Sequence, residues 1–197
     1  MADLTKTTGQ LLDWTLFDIA AALETSALDV SVELETTLHI DICEADGDAA
    51  PAGTIQVSVL IKSGTTDEDW HEFLNLSAAA ATTASTALGA TLTTGATQMV
   101  ATGGDSLFVG KRKLFIHDGT LVNSEIVNVR FLAATGIDII DNVVNEHAQT
   151  VPIRNVLNQF NIVLPVTASS VKLVFRCSDA DSSNTARVRW TKVTEIA

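Results

Sequence analysis

Four histidines, two cysteines, three tryptophans and two acidic loops are the features of this 197-residue chain whose side chains could carry chemistry. His39, His71, His117 and His147 are widely spread, and none belongs to an HExxH or HxH pattern. Zinc needs closely spaced nitrogen and sulfur ligands, and Cys43 and Cys177 stand too far apart to supply that spacing. A metal site assembled from remote positions stays open. His39, on the polar side of an alternating run, and His71, beside Glu72, read more simply as solvated side chains. The loops Glu44–Asp48 and Asp67–Asp69 offer the carboxylate oxygens that Ca²⁺ takes, without the EF-hand pattern. Acidic turns on an acidic protein are ordinarily just solvated. There is no GxSxG elbow, no GxxxxGK[ST] loop and no GxGxxG, and the distance between paired carboxylates is unreadable from sequence. No catalytic, cofactor-binding or metal residue is therefore assigned, and no enzyme activity is expected.

The tryptophans could stack sugars if exposed. Trp190 alternates in phase with Ala186 and Val188, which favours packing in a core, whereas Trp14 and Trp70 follow Asp13 and Asp69 and are open to either reading. Both cysteines end predicted strands, so pairing is geometrically open; buried free thiols are the plainer reading.

Net charge is −12, and it is lopsided. Residues 1–100 hold 15 acids and two bases, residues 101–197 nine acids and ten bases. Nucleic-acid binding needs a basic footprint, so it is not expected. The balance suits a protein that stays in solution at high concentration, or one whose acidic half meets a basic partner. No apolar run approaches the length needed to span a bilayer, and the opening residues lack a secretory pattern, so action without membrane insertion is expected.

Positioning of these groups falls to strands. Val30 to Cys43 alternates, with Val30, Val32, Leu34, Leu38, Ile40 and Ile42 on one side and Ser31, Glu33, Glu35, Thr37, His39 and Asp41 on the other. That period predicts one long strand with a dry face and a wet, acidic face. Thr54–Lys62 alternates likewise, and Trp70–Leu76 reads as another strand. The first nine residues read as a flexible arm and Trp14–Asp18 as a short strand. From Phe73 to Gly104 no residue is charged, and the Ala/Thr/Gly tract over 77–104 is expected as an extended arm or loop packed on a neighbouring surface, with a pair of edge strands or a mobile linker as the alternatives. Lys113–His117, Glu125–Phe131 and Ile137–Asp141 are short strands spaced as in a small barrel or curled sheet, with the basic cluster Lys111–Arg112–Lys113 at its entrance. Phe160–Leu164, Val171–Cys177 and Thr185–Thr194 return to long strands. The basic side of the last, Arg187 and Arg189, is expected to face Glu33 or Glu35 if the two strands are neighbours.

The terminal segments DWTLFDIAAALET and VKLVFRCSDADSSNTARVRWTKVTEI enclose strands and an inserted unit carrying VGKRKLFIHDG, NSEIVNV and NEHAQTV. This arrangement resembles small virion structural proteins of tailed bacteriophages. The resemblance implies an all-β, antiparallel, jelly-roll-like β-sandwich over residues 1–104 and 152–197, with a small β-barrel-like subdomain inserted at 105–151. It implies a non-enzymatic capsid decoration (cement) protein on the virion surface, assembled in the host cytoplasm. Its partners would be the major capsid protein and further copies of itself as a homotrimer, with no cofactor, nucleic acid or membrane. A tail or head–tail connector component and a carbohydrate-binding β-sandwich module for host attachment are the competing expectations.

Overall fold

The computed structural model describes residues 3–17, 22–44, 54–63, 70–79, 85–102, 108, 113–119, 122–133, 136–156, 158–178 and 184–196. Strands β1 (Asp3–Phe17), β2 (Leu23–Glu24), β3 (Leu28–Asp29), β4 (Glu35–Glu44) and β5 (Thr54–Lys62) come first. They are followed by β6 (Trp70–Ala79), β7 (Ser85–Ala87), β8 (Gln98–Met99), β9 (Lys113–Ile116) and β10 (Glu125–Ala133). The chain continues through β11 (Gly136–Ile139), β12 (Pro152–Asn155), β13 (Asn158–Val163), β14 (Ser170–Cys177) and β15 (Asn184–Ile196). The all-β expectation holds. The chain forms two compact units, one of residues 1–42, 51–80 and 158–197, the other of 43–50 and 81–157.

The first unit is an antiparallel sandwich. One sheet has the order β1-β15-β4-β13, the other β2-β14-β5-β6 with β3 also on β14. Apolar residues alternate onto the facing sides: Leu38, Ile40 and Ile42 from β4, Ala186 and Val188 from β15, Val57 and Val59 from β5, and Val171, Leu173 and Phe175 from β14, all fully buried. The Phe17 and Phe175 rings meet with centroids 5.5 Å apart, joining β1 of one sheet to β14 of the other. Each such large side chain contributes about 1.5–3 kcal/mol by leaving water.

Three expectations are corrected here. The run from Val30 to Cys43 is not one strand, because Val30 to Leu34 form a turn before β4 begins at Glu35. The Asp29 carboxylate accepts the Ser31 N–H at 2.9 Å and the Ser31 hydroxyl at 2.8 Å, and the Glu33 N–H returns to the Val30 carbonyl. Those Ser31 bonds, backbone first, hold the Asp29 carboxyl below its usual 3.8. Nor is the other side of β4 wholly wet: Asp41 and Cys43 are buried. The expected arm and short strand are instead one edge strand, β1, paired with β15 from Asp3↔Ile196 to Phe17↔Asn184 with two register shifts. A polar sequence such as LTKTTGQ suits an edge, where one ladder of hydrogen bonds suffices and bulges and Lys6 discourage a further strand.

The second unit is a single curled antiparallel sheet of order β7-β12-β9-β10-β11-β8. The insert expected over 105–151 therefore has different bounds, and the uncharged tract is not an arm of the sandwich. Its Leu88, Leu92, Met99 and Ala101 join Phe108, Leu114, Ile116, Val127, Ile137 and Ile153 in this unit's core. Small residues between them allow close backbone approach: a Cβ at Gly136 would lie 2.8 Å from the Met99 carbonyl oxygen on the adjacent strand β8.

Candidate functional site

The tightest grouping of titratable side chains lies in the second unit. Hairpin pairing of β9 with β10 sets Glu125 opposite Ile116, which brings Asp118, two residues beyond Ile116, to the same end as Glu125. His147 arrives from a separate loop fixed by reciprocal backbone bonds with Leu92. Its Nδ1 lies 2.9 Å from Asp118 Oδ2 and its Nε2 2.7 Å from Glu125 Oε1, with the imidazole fully buried. Glu125 also accepts the backbone N–H groups of Val144 (3.0 Å) and Asn145 (3.1 Å), and the Asp118 N–H donates to Ser124 Oγ. Burial alone would lower the imidazole's pKa. Hydrogen bonds to Glu125 and Asp118, and their charges, outweigh it and hold the pKa above the usual 6.5. Burial likewise pushes Glu125 up, but the bonds from His147, Val144 and Asn145 prevail and its pKa is lowered below 4.5. The protonated ring donates from both nitrogens, so an imidazolium satisfies both carboxylates where a neutral ring satisfies one. With His147 enclosed and both its nitrogens occupied, the trio cross-links three segments: the end of β9, the start of β10 and the loop at residues 144–147. It is built as a clamp.

A second polar assembly covers one face of the β1-β15-β4-β13 sheet. Asp41 Oδ2 accepts from Arg187 at 3.0 Å and Arg189 at 3.3 Å, and Asp41 Oδ1 accepts from Gln159 Nε2 at 2.6 Å. The Arg187 guanidinium lies over the Trp14 ring at 4.8 Å. One strand position along, His39 Nδ1 faces Asn161 Oδ1 at 2.7 Å and Nε2 faces Thr191 Oγ1 at 3.2 Å. Asn161 and Thr191 thus engage both ring nitrogens and tie β4 to β13 and β15. The acid opposite the C-terminal arginines is thus Asp41, not Glu33 or Glu35. Glu33 pairs instead with Lys192, at 3.3 Å. Register explains the shift, since β4 and β15 are neighbours but their contact places Leu34 by Val193 and Asp41 by Arg187.

Beside this assembly a concavity of about 500 Å³ opens, lined by Thr8, Gly9, Gln10, His39, Arg189, Trp190 and Thr191. At one end of the same unit, a small cleft is lined by Leu34, Leu164, Pro165 and Val166 together with Val30 and Glu33 to Thr36. Of its lining Val166 (77 %) and Leu34 (47 %) are exposed, as is Val32 (78 %), which stands in the turn between the lining residues Val30 and Glu33.

His39 is hydrogen-bonded on both nitrogens, not merely solvated, and His147 acquires two carboxylate partners. Trp190 shares Val188's side of β15, as the alternation predicts, but is only half-buried there. Its indole is half-buried over Gly9, where a Cβ would come within 2.3 Å of Cζ2, and Lys192 Nζ sits 5.1 Å from the ring centroid. Trp14 is buried, while Trp70 has Lys172 and Lys62 at 4.7 and 5.1 Å from its ring. Cys43 and Cys177 are buried and not joined in a disulfide. Of the acidic loops, residues 45–48 and 67–69 lie outside the described residues, as do Lys111 and Arg112. Among the described residues no group of three or more His, Cys, Asp or Glu is placed to hold a metal ion, and no helix is long and apolar enough to cross a membrane. Comparison with protein-family models, curated proteins and solved structures found no match.

Proposed function

We propose that this chain is a non-enzymatic structural protein of a tailed-bacteriophage virion, a capsid decoration protein that bridges capsid subunits and associates with copies of itself. The observation that carries the reading is the apolar display of Val32, Leu34 and Val166 around one cleft at the end of the sandwich. Exposed aliphatic side chains gathered on turns cost solubility and are characteristic of surfaces that meet another protein. The polar assemblies support the same reading. Asp41 is spent on two arginines and a glutamine, and His147 on two carboxylates, so each holds strands or loops in register. The acidic balance of the chain favours a basic rim on the partner around that apolar contact.

Sedimentation with assembled, undecorated shells and with unassembled capsid protein tests the proposal. Co-pelleting with shells, to a saturating ratio, and no complex with free capsid protein is the expected result. Folded protein that stays in the supernatant at every shell concentration overturns it.

A further inference from the structure

The register of β1, β15 and β4 collects five polar side chains on one face. Thr8 stands opposite Thr191 and Gln10 opposite Arg189, while His39 reaches Thr191 from β4. Gly9 and Trp190 pair between them and point the other way, so their backbone forms the floor of the 500 Å³ concavity. A volume of this size accommodates one or two small rings.

Its electrostatics are unusual for this chain. Among the described residues no carboxylate lines the concavity, although the protein carries a net charge of −12. Arg187 and Arg189 together face one buried carboxylate, Asp41, which leaves one positive charge of the trio uncompensated. Arg189 is the more exposed of the two arginines, with 45 % of its side chain open, and its single polar contact among the described residues is the 3.3 Å bond to Asp41. A guanidinium has five N–H donors, so most of Arg189's remain for a ligand. Thr8 and Gln10 make no side-chain hydrogen bond among the described residues, and the Thr191 hydroxyl has one partner there, His39 Nε2, which leaves it capacity for a second. The walls therefore offer one cationic fork ringed by hydroxyl and amide groups.

We propose that this concavity binds a monosaccharide carrying a carboxylate, of the uronic-acid class, with the carboxylate on Arg189 and ring hydroxyls on Thr8, Gln10 and Thr191. A simple oxyanion would fill only a small part of a 500 Å³ concavity, whereas a sugar ring carrying a carboxylate spans from Arg189 to the hydroxyl and amide groups together. A neutral sugar would lack what usually binds it, because the nearby indoles offer no open stacking face: Trp14 lies under Arg187, and Trp190 is folded over Gly9. The proposal is independent of the virion role, since the concavity and the apolar cleft share no lining residue.

Titration of the intact protein with glucuronate, glucose and inorganic phosphate, followed by NMR shifts or calorimetry, tests the assignment. Glucuronate is expected to bind at least tenfold more tightly than glucose or phosphate. Arg189→Gln should weaken glucuronate tenfold or more. Because that change also removes a bond to Asp41, the Thr8→Val/Gln10→Ala variant supplies a second reading that leaves the ion pairs intact, with an expected loss of threefold or more. Equal binding of phosphate would make this a generic anion site and overturn the proposal. So would equal binding of glucose, no binding of glucuronate, or undiminished binding in both variants.

Discussion

His147 Nε2 lies 2.7 Å from Glu125 Oε1 in an enclosed site, while the same carboxylate holds the backbone of Val144 and Asn145. One protonation equilibrium therefore tensions several segments of the second unit. His147 has a pKa raised above 6.5, so its contribution is complete below pH 6.5 and is lost as pH rises through the folded value. Glu125 has a pKa lowered below 4.5, so its contribution is complete above pH 4.5 and is lost as pH falls through the folded value. Both act fully between pH 4.5 and 6.5. Thermal melts at stepped pH should show the alkaline limb of the stability profile falling in the native chain and flattened in His147→Gln. That variant should lose about 3 kcal/mol at pH 6, because two carboxylates lose their shared partner. An unchanged alkaline limb would refute the clamp.

Asp41 is the pivot of the sandwich's polar face. Asp41→Asn keeps the shape but strips the charge that Arg187 and Arg189 share, and chemical denaturation should register a loss of about 3 kcal/mol. Glu24→Gln removes the more exposed pair with Lys172 and should change stability by less than about 1 kcal/mol. Equal effects of the two substitutions would contradict the ranking.

Trp190 reports on the β1–β15 edge. Gly9→Ala places a methyl where the indole lies, so the ring must move. A shift in tryptophan emission is expected together with a loss of about 1–3 kcal/mol. In a Trp190→Leu background the same alanine should cost less, since the clashing ring is gone; an additive double variant would show that the contact carries no energy.

The alternation Leu38-Ile40-Ile42 was legible because inward burial on β4 follows the period of two, and Thr54–Lys62 was legible for the same reason. The first half of the alternating run misled because a local competitor, the Asp29 carboxylate bonding to Ser31, turns the chain before the strand begins. β1 was hidden by its polarity, for an edge strand need not alternate. The tract from Ser85 to Ala101 was hidden by its small residues, and only Leu88, Leu92 and Met99, widely spaced among them, carry the core signal. The clamp had half a signal. Recognising the β9–β10 hairpin brings Asp118 and Glu125 to one end, but His147 joins them only through tertiary pairing with Leu92. The C-terminal arginines were expected against Glu33 or Glu35 if the two strands were neighbours; β4 and β15 are neighbours, but their register brings Asp41 to the arginines instead.

Val32 and Val166 give the central proposal its most direct test. Both are largely exposed, so Val32→Asp/Val166→Asp should leave the melting temperature within a degree or two of the native chain while burying charge in any apolar contact. The measurement is shell binding at saturating protein, native against double variant. A drop of tenfold or more in bound protein, with the fold intact, is the predicted result. Equal binding of the two proteins, or no binding of the native protein, would contradict the account.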